Sequence, residues 1–286
     1  DYSTCSHVKM FSCIIAAIDS VPLSRFDKNT LPHQTLMELL ISNFDDKKVF
    51  RDSCGDIEDI FEWAGLSITQ KHEVTSIEWE TRSDDAVDSG EFPGSGGSID
   101  FQWVPASVTN LVIAELSLHG TIDTFELPRM LGTLDIGGNL LEGVFDTIGL
   151  PRCLQALFVH RNQLSGSFDI PNLPPALLAF SISRNNFSGY LQLDQLPLLL
   201  DYANVSNNRF SGAVDLVNLS ECLTKLKIDN NHFDLVKSVT VTNNPLQLLL
   251  LDQGEVEEVV TTDGEELDFV QFYEPGIIRV QWRKEE

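Results

Sequence analysis

The chain has 286 residues, 42% of them hydrophobic, enough for a core of one large or two ordinary domains and too apolar for a disordered polymer. It carries 43 acidic against 19 basic side chains, a formal charge of −24, which opposes sequence-general nucleic-acid binding and attraction to anionic membranes. No apolar run approaches about 20 residues, so no segment is expected to span a bilayer.

Residues 1–73 are expected to form a helical N-terminal cap. Val8, Phe11, Ile14, Ile15 and Ile18 fall on one helical face, and Leu36, Leu39, Leu40 and Phe44 on another. The apolar stretch 11–18 is short and has only Lys9 upstream, which makes it a poor secretory core.

Residues 74–251 are a repeat. Leucines recur every 23 residues at Leu131, Leu154, Leu177, Leu200, Leu223 and Leu246. In the same register stand Asn139, Asn162, Asn185, Asn208 and Asn231, with a glycine column from Gly97 to Gly212 and a proline column from Pro105 to Pro197. The unit reads L-x-x-L-x-I-x-x-N-x-[LF]-S-G-x-h-D-h-x-x-L-P, with h apolar. Its L-x-x-L-x-I stretch alternates apolar and open positions, as a short strand with one face inward does. The asparagine both donates and accepts, so it can satisfy the backbone where the chain bends away. One unit cannot bury its own apolar face, so the units must stack. Val74 precedes Gly97 by 23 positions, whereas Leu131 precedes Gly143 by 12, so eleven residues are inserted within 80–96. That acidic, Gly- and Ser-rich stretch predicts a solvated loop, either a plain bulge or a partner-binding arm.

After Leu251 the repeat stops. Residues 252–286 predict a β cap: strands over 255–262 and 265–273 joined by a tight Asp263-Gly264 turn, then a turn at Pro275-Gly276 into a last strand. Such a lid would cover the open end of the sheet. Five cysteines do not make a disulfide framework. Cys153 and Cys222 lie three repeats apart, roughly 14 Å at the spacing of stacked strands, which leaves at most one bridge among Cys5, Cys13 and Cys54.

These columns resemble the leucine-rich repeat family, and the pairs Ser165-Gly166, Ser188-Gly189 and Ser211-Gly212 resemble its plant-type subclass. An apolar residue and an aspartate follow the glycine where that subclass usually has isoleucine and proline. The resemblance implies an α/β solenoid, a horseshoe with a parallel β-sheet on its concave side. Trp63-Ala64-Gly65-Leu66 followed by Val74 and Ile77 is similar to the signature of the plant-type cap, without that cap's cysteine pair. The plant-type resemblance favours an extracellular or cell-surface home, while the cysteine pattern opposes it. Three glycosylation triplets begin at Asn186, Asn204 and Asn218.

No nucleotide, hydrolase, zinc or redox motif occurs, and none of the six histidines has a second metal ligand at useful spacing, so neither catalysis nor a cofactor is expected. Asp100, Asp123, Asp146, Asp169 and Asp215 form a column three residues after the glycines. Each can cap a local turn through its own carboxylate, or the column can hold Ca²⁺ through shared carboxylates. The concave positions offer the candidate binding site: Phe158 and Tyr202 as aromatic anchors, with His160, Arg161, Arg184, Lys225 and Lys227. The expected function is a non-enzymatic module that recognises a protein, peptide or glycan on this face. The alternative is a structural subunit held permanently in a larger multiprotein assembly.

Overall fold

The structure is a computed structural model. It describes residues 27–80, 93–214, 216, 219–234 and 248–251, and the backbone of strand residues 236–241, 252, 256–261, 270–274 and 277–281. Outside the described residues lie the expected helix over 8–18, Cys5, Cys13, positions 81–92 of the insertion, Asp215, Asn218, Leu246 and the turns at Asp263-Gly264 and Pro275-Gly276.

An antiparallel pair, β1 (Leu66–Ile68) and β2 (Val74–Glu80), opens the solenoid. Each repeat then adds an inner and an outer strand. In chain order these are β3 (Asn110–Ala114) and β4 (His119–Gly120), β5 (Thr133–Asp135) and β6 (Leu140–Val144), β7 (Ala156–Phe158) and β8 (Gln163–Gly166). There follow β9 (Ala179–Ser181) and β10 (Asn186–Gly189), β11 (Tyr202–Asn204) and β12 (Arg209–Gly212), and β13 (Lys225–Lys227) and β14 (His232–Phe233). Inner strands pair in parallel with a constant offset of one repeat, as in Ala156↔Ala179, Ala179↔Tyr202 and Tyr202↔Lys225. The outer strands form a second, six-stranded sheet.

Period-two alternation sets which side chains go in. The central residue of each inner strand, from Leu134 through Leu157, Phe180 and Ala203 to Leu226, is fully buried, as is the leucine column before it. Each such leucine or phenylalanine contributes about 1.5–3 kcal/mol by leaving water. Between the sheets, Phe168 touches Phe180 and Phe187 at 5.6 Å each, and Phe187 stacks on Phe210 at 6.4 Å.

The bend between inner and outer strand would leave carbonyls and amides buried without partners. Asparagine closes that gap. Asn185 Nδ2 donates to the carbonyls of Val159 at 2.9 Å, Ile182 at 3.1 Å and Ser183 at 3.4 Å, while its Oδ1 accepts from Leu164 N at 3.0 Å. Asn139, Asn162, Asn208 and Asn231 repeat the pattern, each reaching back to the preceding rung. On the outer side four rungs close with a short 3-10 turn, at Phe101–Trp103, Thr124–Glu126, Ile170–Asn172 and Leu193–Gln195, and the rung of Asp146 closes with a plain turn. Asp100, Asp123 and Asp146 accept from the backbone N–H two residues ahead, at 3.1, 2.9 and 2.8 Å. Asp169 takes Asn172 Nδ2 at 2.7 Å instead. The carboxylates of these four residues thus serve the turns of their own rungs. Among the described residues no group of three or more His, Cys, Asp or Glu is placed to hold a metal.

Over its described residues, 27–73, the N-terminal cap combines one α-helix with short turns. Among the described residues the one α-helix is α1 (His33–Leu40), flanked by 3-10 turns at Lys28–Thr30, Lys48–Phe50 and Ile60–Glu62. It buries Leu36, Met37, Leu39 and Leu40, but Phe44 lies beyond its end and reaches the core from a turn. Phe50 and Trp63 pack at 4.5 Å, Phe50 and Trp79 at 5.3 Å, sealing the first rung. Gly65 turns there at φ +74, and a Cβ on it would run into the Glu78 carbonyl and, at 2.9 Å, the Trp79 ring. The end of the insertion is not free. Pro93 is buried, Asp45 N donates to Gly96 O at 3.1 Å, and Ser98 N to Asn43 O at 2.9 Å, so residues 96–98 are sewn to the cap.

The C-terminal pairing differs from the expectation. The strands there are β15 (Val236–Val241), β16 (Leu248–Asp252), β17 (Val256–Thr261), β18 (Val270–Glu274) and β19 (Ile277–Gln281). β16 extends the inner sheet beside β13, and β19 then β18 complete it antiparallel. β17 does not pair with β18 across Asp263-Gly264; it crosses back to lie parallel with β15. β15 and β17 form a separate two-stranded sheet, and both are rich in β-branched residues, which favour strands.

Candidate functional site

The open positions of the inner strands form columns one rung apart, about 4.8 Å. The first column runs Asn110, Thr133, Ala156, Ala179, Tyr202 and Lys225, and the second Val112, Asp135, Phe158, Ser181, Asn204 and Lys227. These register rows put Tyr202 beside Lys225 and Asn204 beside Lys227, with the small residues Ala179 and Ser181 on the rung before. Phe158 opposes Ser181 on that rung's other side. Phe158, His160, Tyr202 and Lys227 are half-buried, whereas Arg161, Arg184 and Lys225 are exposed. The two aromatic residues are therefore partly covered by their neighbours on the sheet.

Sequence reasoning placed Arg161 and Arg184 on the strands. They stand just past them, in a column of left-handed residues: Glu115 (φ +58), Gly138 (+67), Arg161 (+52), Arg184 (+56), Asn207 (+57) and Asn230 (+56). The six inner strands from β3 to β13 leave the face through this conformation, which suits glycine and asparagine and strains arginine and glutamate. Arg161 reaches over Gly138 to Glu115, Nη1 to Oε1 at 3.4 Å. The absence of a side chain at Gly138 makes the bridge possible, since a Cβ there would meet the Glu115 carboxylate. One position earlier, the His160 ring lies on Gly137, where a Cβ would come 2.7 Å from Nδ1.

Polar groups on the face are largely engaged with the backbone. Asp135 Oδ1 accepts from Gly137 N at 3.0 Å, and Asn204 Oδ1 from Ser206 N at 3.1 Å and Ser206 Oγ at 2.6 Å. The same carboxamide belongs to a glycosylation triplet that stands on the inner sheet, whereas Asn186 stands on the outer sheet. Burial raises the Tyr202 phenol above its usual value; a hydrogen bond with Asn204 opposes the rise and the Asp229 charge adds to it. Tyr202 is therefore a neutral hydroxyl near neutral pH. At the N-terminal end, Asn110 Nδ2 and Ser76 Oγ both donate to Glu78 Oε1, at 2.7 and 2.8 Å. The face is thus acidic at its start, with Glu78 and Glu115, and basic toward β13. Cys54, Cys153 and Cys222 are free and exposed.

The fold is a solenoid of stacked 23-residue leucine-rich repeats, whose Ser-Gly pairs resemble the plant-type form of the unit. No protein-family description and no curated protein matches the chain. Solved structures do. Pollen receptor kinase 3 aligns with a TM-score of 0.47 and 17% identity, over 80% of this chain and 92% of its own. Internalin C2 of Listeria monocytogenes aligns with a TM-score of 0.45 and 16% identity, over 78% and 96%. The leucine-rich-repeat ectodomain of the Arabidopsis thaliana receptor kinase GASSHO1/SCHENGEN3, solved in complex with Casparian strip integrity factor 2, aligns with a TM-score of 0.44 and 23% identity over 50% of this chain. The chain spans only 18% of that ectodomain's length.

Proposed function

We propose that the protein is a binding module without catalytic function, and that its concave sheet from β7 to β13 takes up another protein or a peptide. The observation that carries this reading is the gathering of Phe158, His160 and Tyr202 with Arg161, Arg184, Lys225 and Lys227 on one face of a molecule whose net charge is −24. Aromatic and arginine side chains at the centre of a face are the usual energetic anchors of an interface. The test is capture of partners from a native extract by the wild-type chain and by the double variant Phe158→Ala/Tyr202→Ala, quantified by mass spectrometry. A partner held by the former and lost by the latter, with melting temperature lowered by only a few degrees, supports the reading. A partner retained equally by both overturns it.

A second reading, permanent membership of an assembly, draws on a different surface. Leu178, Leu198 and Leu199 stand at the rim of the solenoid with 44%, 81% and 55% of their surface exposed. Apolar surface of that kind is commonly covered by a partner. A stoichiometric partner that survives high salt and ignores the Phe158/Tyr202 variant would favour this reading.

A further inference from the structure

Three cations on the C-terminal half of the concave sheet have no ion pair with any described residue. Lys225 and Lys227 leave the same face of β13 two positions apart, about 7 Å along the strand. Arg184 leaves the exit of β9 two rungs away, about 10 Å. Tyr202 and Asn204 fill the middle of this triangle, paired in register with Lys225 and Lys227. The acids on these rungs are otherwise occupied: Asp229 is buried and accepts from Asn230 Nδ2 at 2.9 Å, and Asp201, at the rim, takes the Thr224 hydroxyl. Other cations of the molecule are engaged, although Lys71, Arg152 and Arg209 form no ion pair with a described residue either. Lys28 meets Glu126 at 2.9 Å, Arg161 meets Glu115, and Arg129 donates to the carbonyls of Thr124, Phe125, Leu127 and Gly149.

Arg184 is the most telling of the three. It holds a left-handed conformation that asparagine adopts at lower cost, as the next two rungs do with Asn207 and Asn230. Strain kept where an easier residue is available marks a side chain with another use.

Resting on the reading that the concave sheet is the binding face, we propose that its C-terminal half takes an extended acidic segment of a partner protein. Side-chain carboxylates of the segment pair with Arg184, Lys225 and Lys227, and its apolar side chains lie against Tyr202 and the Ala179/Ser181 floor. Alternate side chains of an extended segment are spaced about 7 Å, the separation of Lys225 and Lys227. A long polyanion such as nucleic acid or a sulfated glycan fits less well. Beyond the three cations it would meet the field of a −24 molecule along its whole length.

This arrangement has its own kinetic signature. The attraction acts at contact, whereas the repulsion between two acidic molecules acts over the screening length, about 30 Å at 0.01 M salt and about 8 Å at 0.15 M. Added salt therefore speeds association, by screening the approach, and also speeds dissociation, by weakening the contact. A basic partner drawn to the acidic outer surface would associate more slowly as salt rises.

The experiment uses the full chain and a short acetylated, amidated peptide with glutamate at alternate positions, beside its glutamine counterpart and a heparin fragment. Zero-length carbodiimide coupling joins a lysine amine to a carboxylate only at contact, and mass spectrometry maps the sites. Coupling should favour Lys225 and Lys227 over the exposed lysines Lys48 and Lys71 by about tenfold, and Arg184→Gln should reduce it several-fold. Raising salt from about 0.01 to 0.15 M should increase the association rate of the glutamate peptide. Even coupling across all lysines, equal binding of the glutamine peptide, or an association rate that falls with salt overturns the proposal. Displacement by the heparin fragment below the peptide's own concentration overturns it in favour of a polyanion. The wider reading is separable. If Phe158→Ala/Tyr202→Ala abolishes capture of the native partner while Lys225→Gln/Lys227→Gln leaves it intact, the concave face stands and the acidic segment falls.

Discussion

Replacing Arg184 by asparagine should make the protein more stable. At φ +56 the arginine Cβ crowds the following carbonyl, a strain of about 1–2 kcal/mol for an ordinary L-residue. Asparagine, which tolerates this region, should relieve about half of it. The side chain is exposed, and among the described residues it forms no ion pair, so little is lost with the guanidinium. A net gain of about 0.5–1 kcal/mol raises the melting temperature by about 1–4 °C for a domain of this size. Scanning calorimetry of Arg184→Asn beside the inverse substitution Asn207→Arg gives the answer in one experiment. The first should melt higher than the parent and the second lower by a similar amount, because both occupy the same column one rung apart. If Arg184→Asn melts lower, the guanidinium stabilises the free protein through contacts of its own and the strain argument fails. Stability gained at the expense of binding at this position would be the usual sign of a residue held for function.

Asn185→Ala removes one acceptor and three donated bonds from a buried bend, and urea unfolding should show a loss of about 3 kcal/mol. An effect below about 1 kcal/mol would mean that water replaces the carboxamide. Gly65→Ala forces a Cβ against the Glu78 carbonyl at a positive φ, so the cap should loosen and the fluorescence of Trp63 and Trp79 should shift red; an unchanged spectrum would refute the packing. His33 should make stability fall in acid. Its Nδ1 accepts from Val74 N at 2.8 Å, and burial lowers its pKa while Glu73 partly opposes the shift. The neutral ring is thus favoured in the folded state. Its contribution is present in full above about pH 6.5, the unfolded value, and is lost as pH drops through the lowered folded value. Melting temperatures measured down from neutral pH should fall less steeply in His33→Asn, and an identical slope would refute this role.

The repeat was legible because every rung solves the same problem with the same residues. A bend that buries carbonyls needs a side chain that donates and accepts, so asparagine recurs at each one, and Leu134, Leu157 and Leu226 recur because only one strand face meets the core. The ends carry no such redundancy. Phe44 continues a helical periodicity on paper, yet α1 stops at Leu40, because tertiary packing decides where an amphipathic pattern ends. The Asp-Gly pair suggested a local hairpin, while β17 found a non-local partner in β15. A single sequence weighs local turn chemistry and has no access to which edge is vacant. On the face itself the columns were visible, but the left-handed backbone at Arg161 and Arg184 was not. Its signal was the company those arginines keep, since Gly138, Asn207 and Asn230 share their column.

This division explains why the fold can be read so firmly and the ligand only through the face. Along each inner strand the inward residues meet the core, and the outward residues meet solvent or, on our proposal, a partner. Changing Tyr202, Lys225 or Lys227 leaves Ala203 and Leu226 where they are. The two sets answer to different constraints, so likeness in the first carries nothing about the second. What distinguishes this chain is therefore its departures from uniformity. Small residues lie between Phe158 and Tyr202, and two glycines let His160 and the Glu115–Arg161 pair lie flat. Three cations with no ion pair among the described residues stand at one end of an otherwise acidic molecule. Each departure has a local cost in strain, lost packing or charge, and all of them fall on the open face of the inner sheet or at its edge.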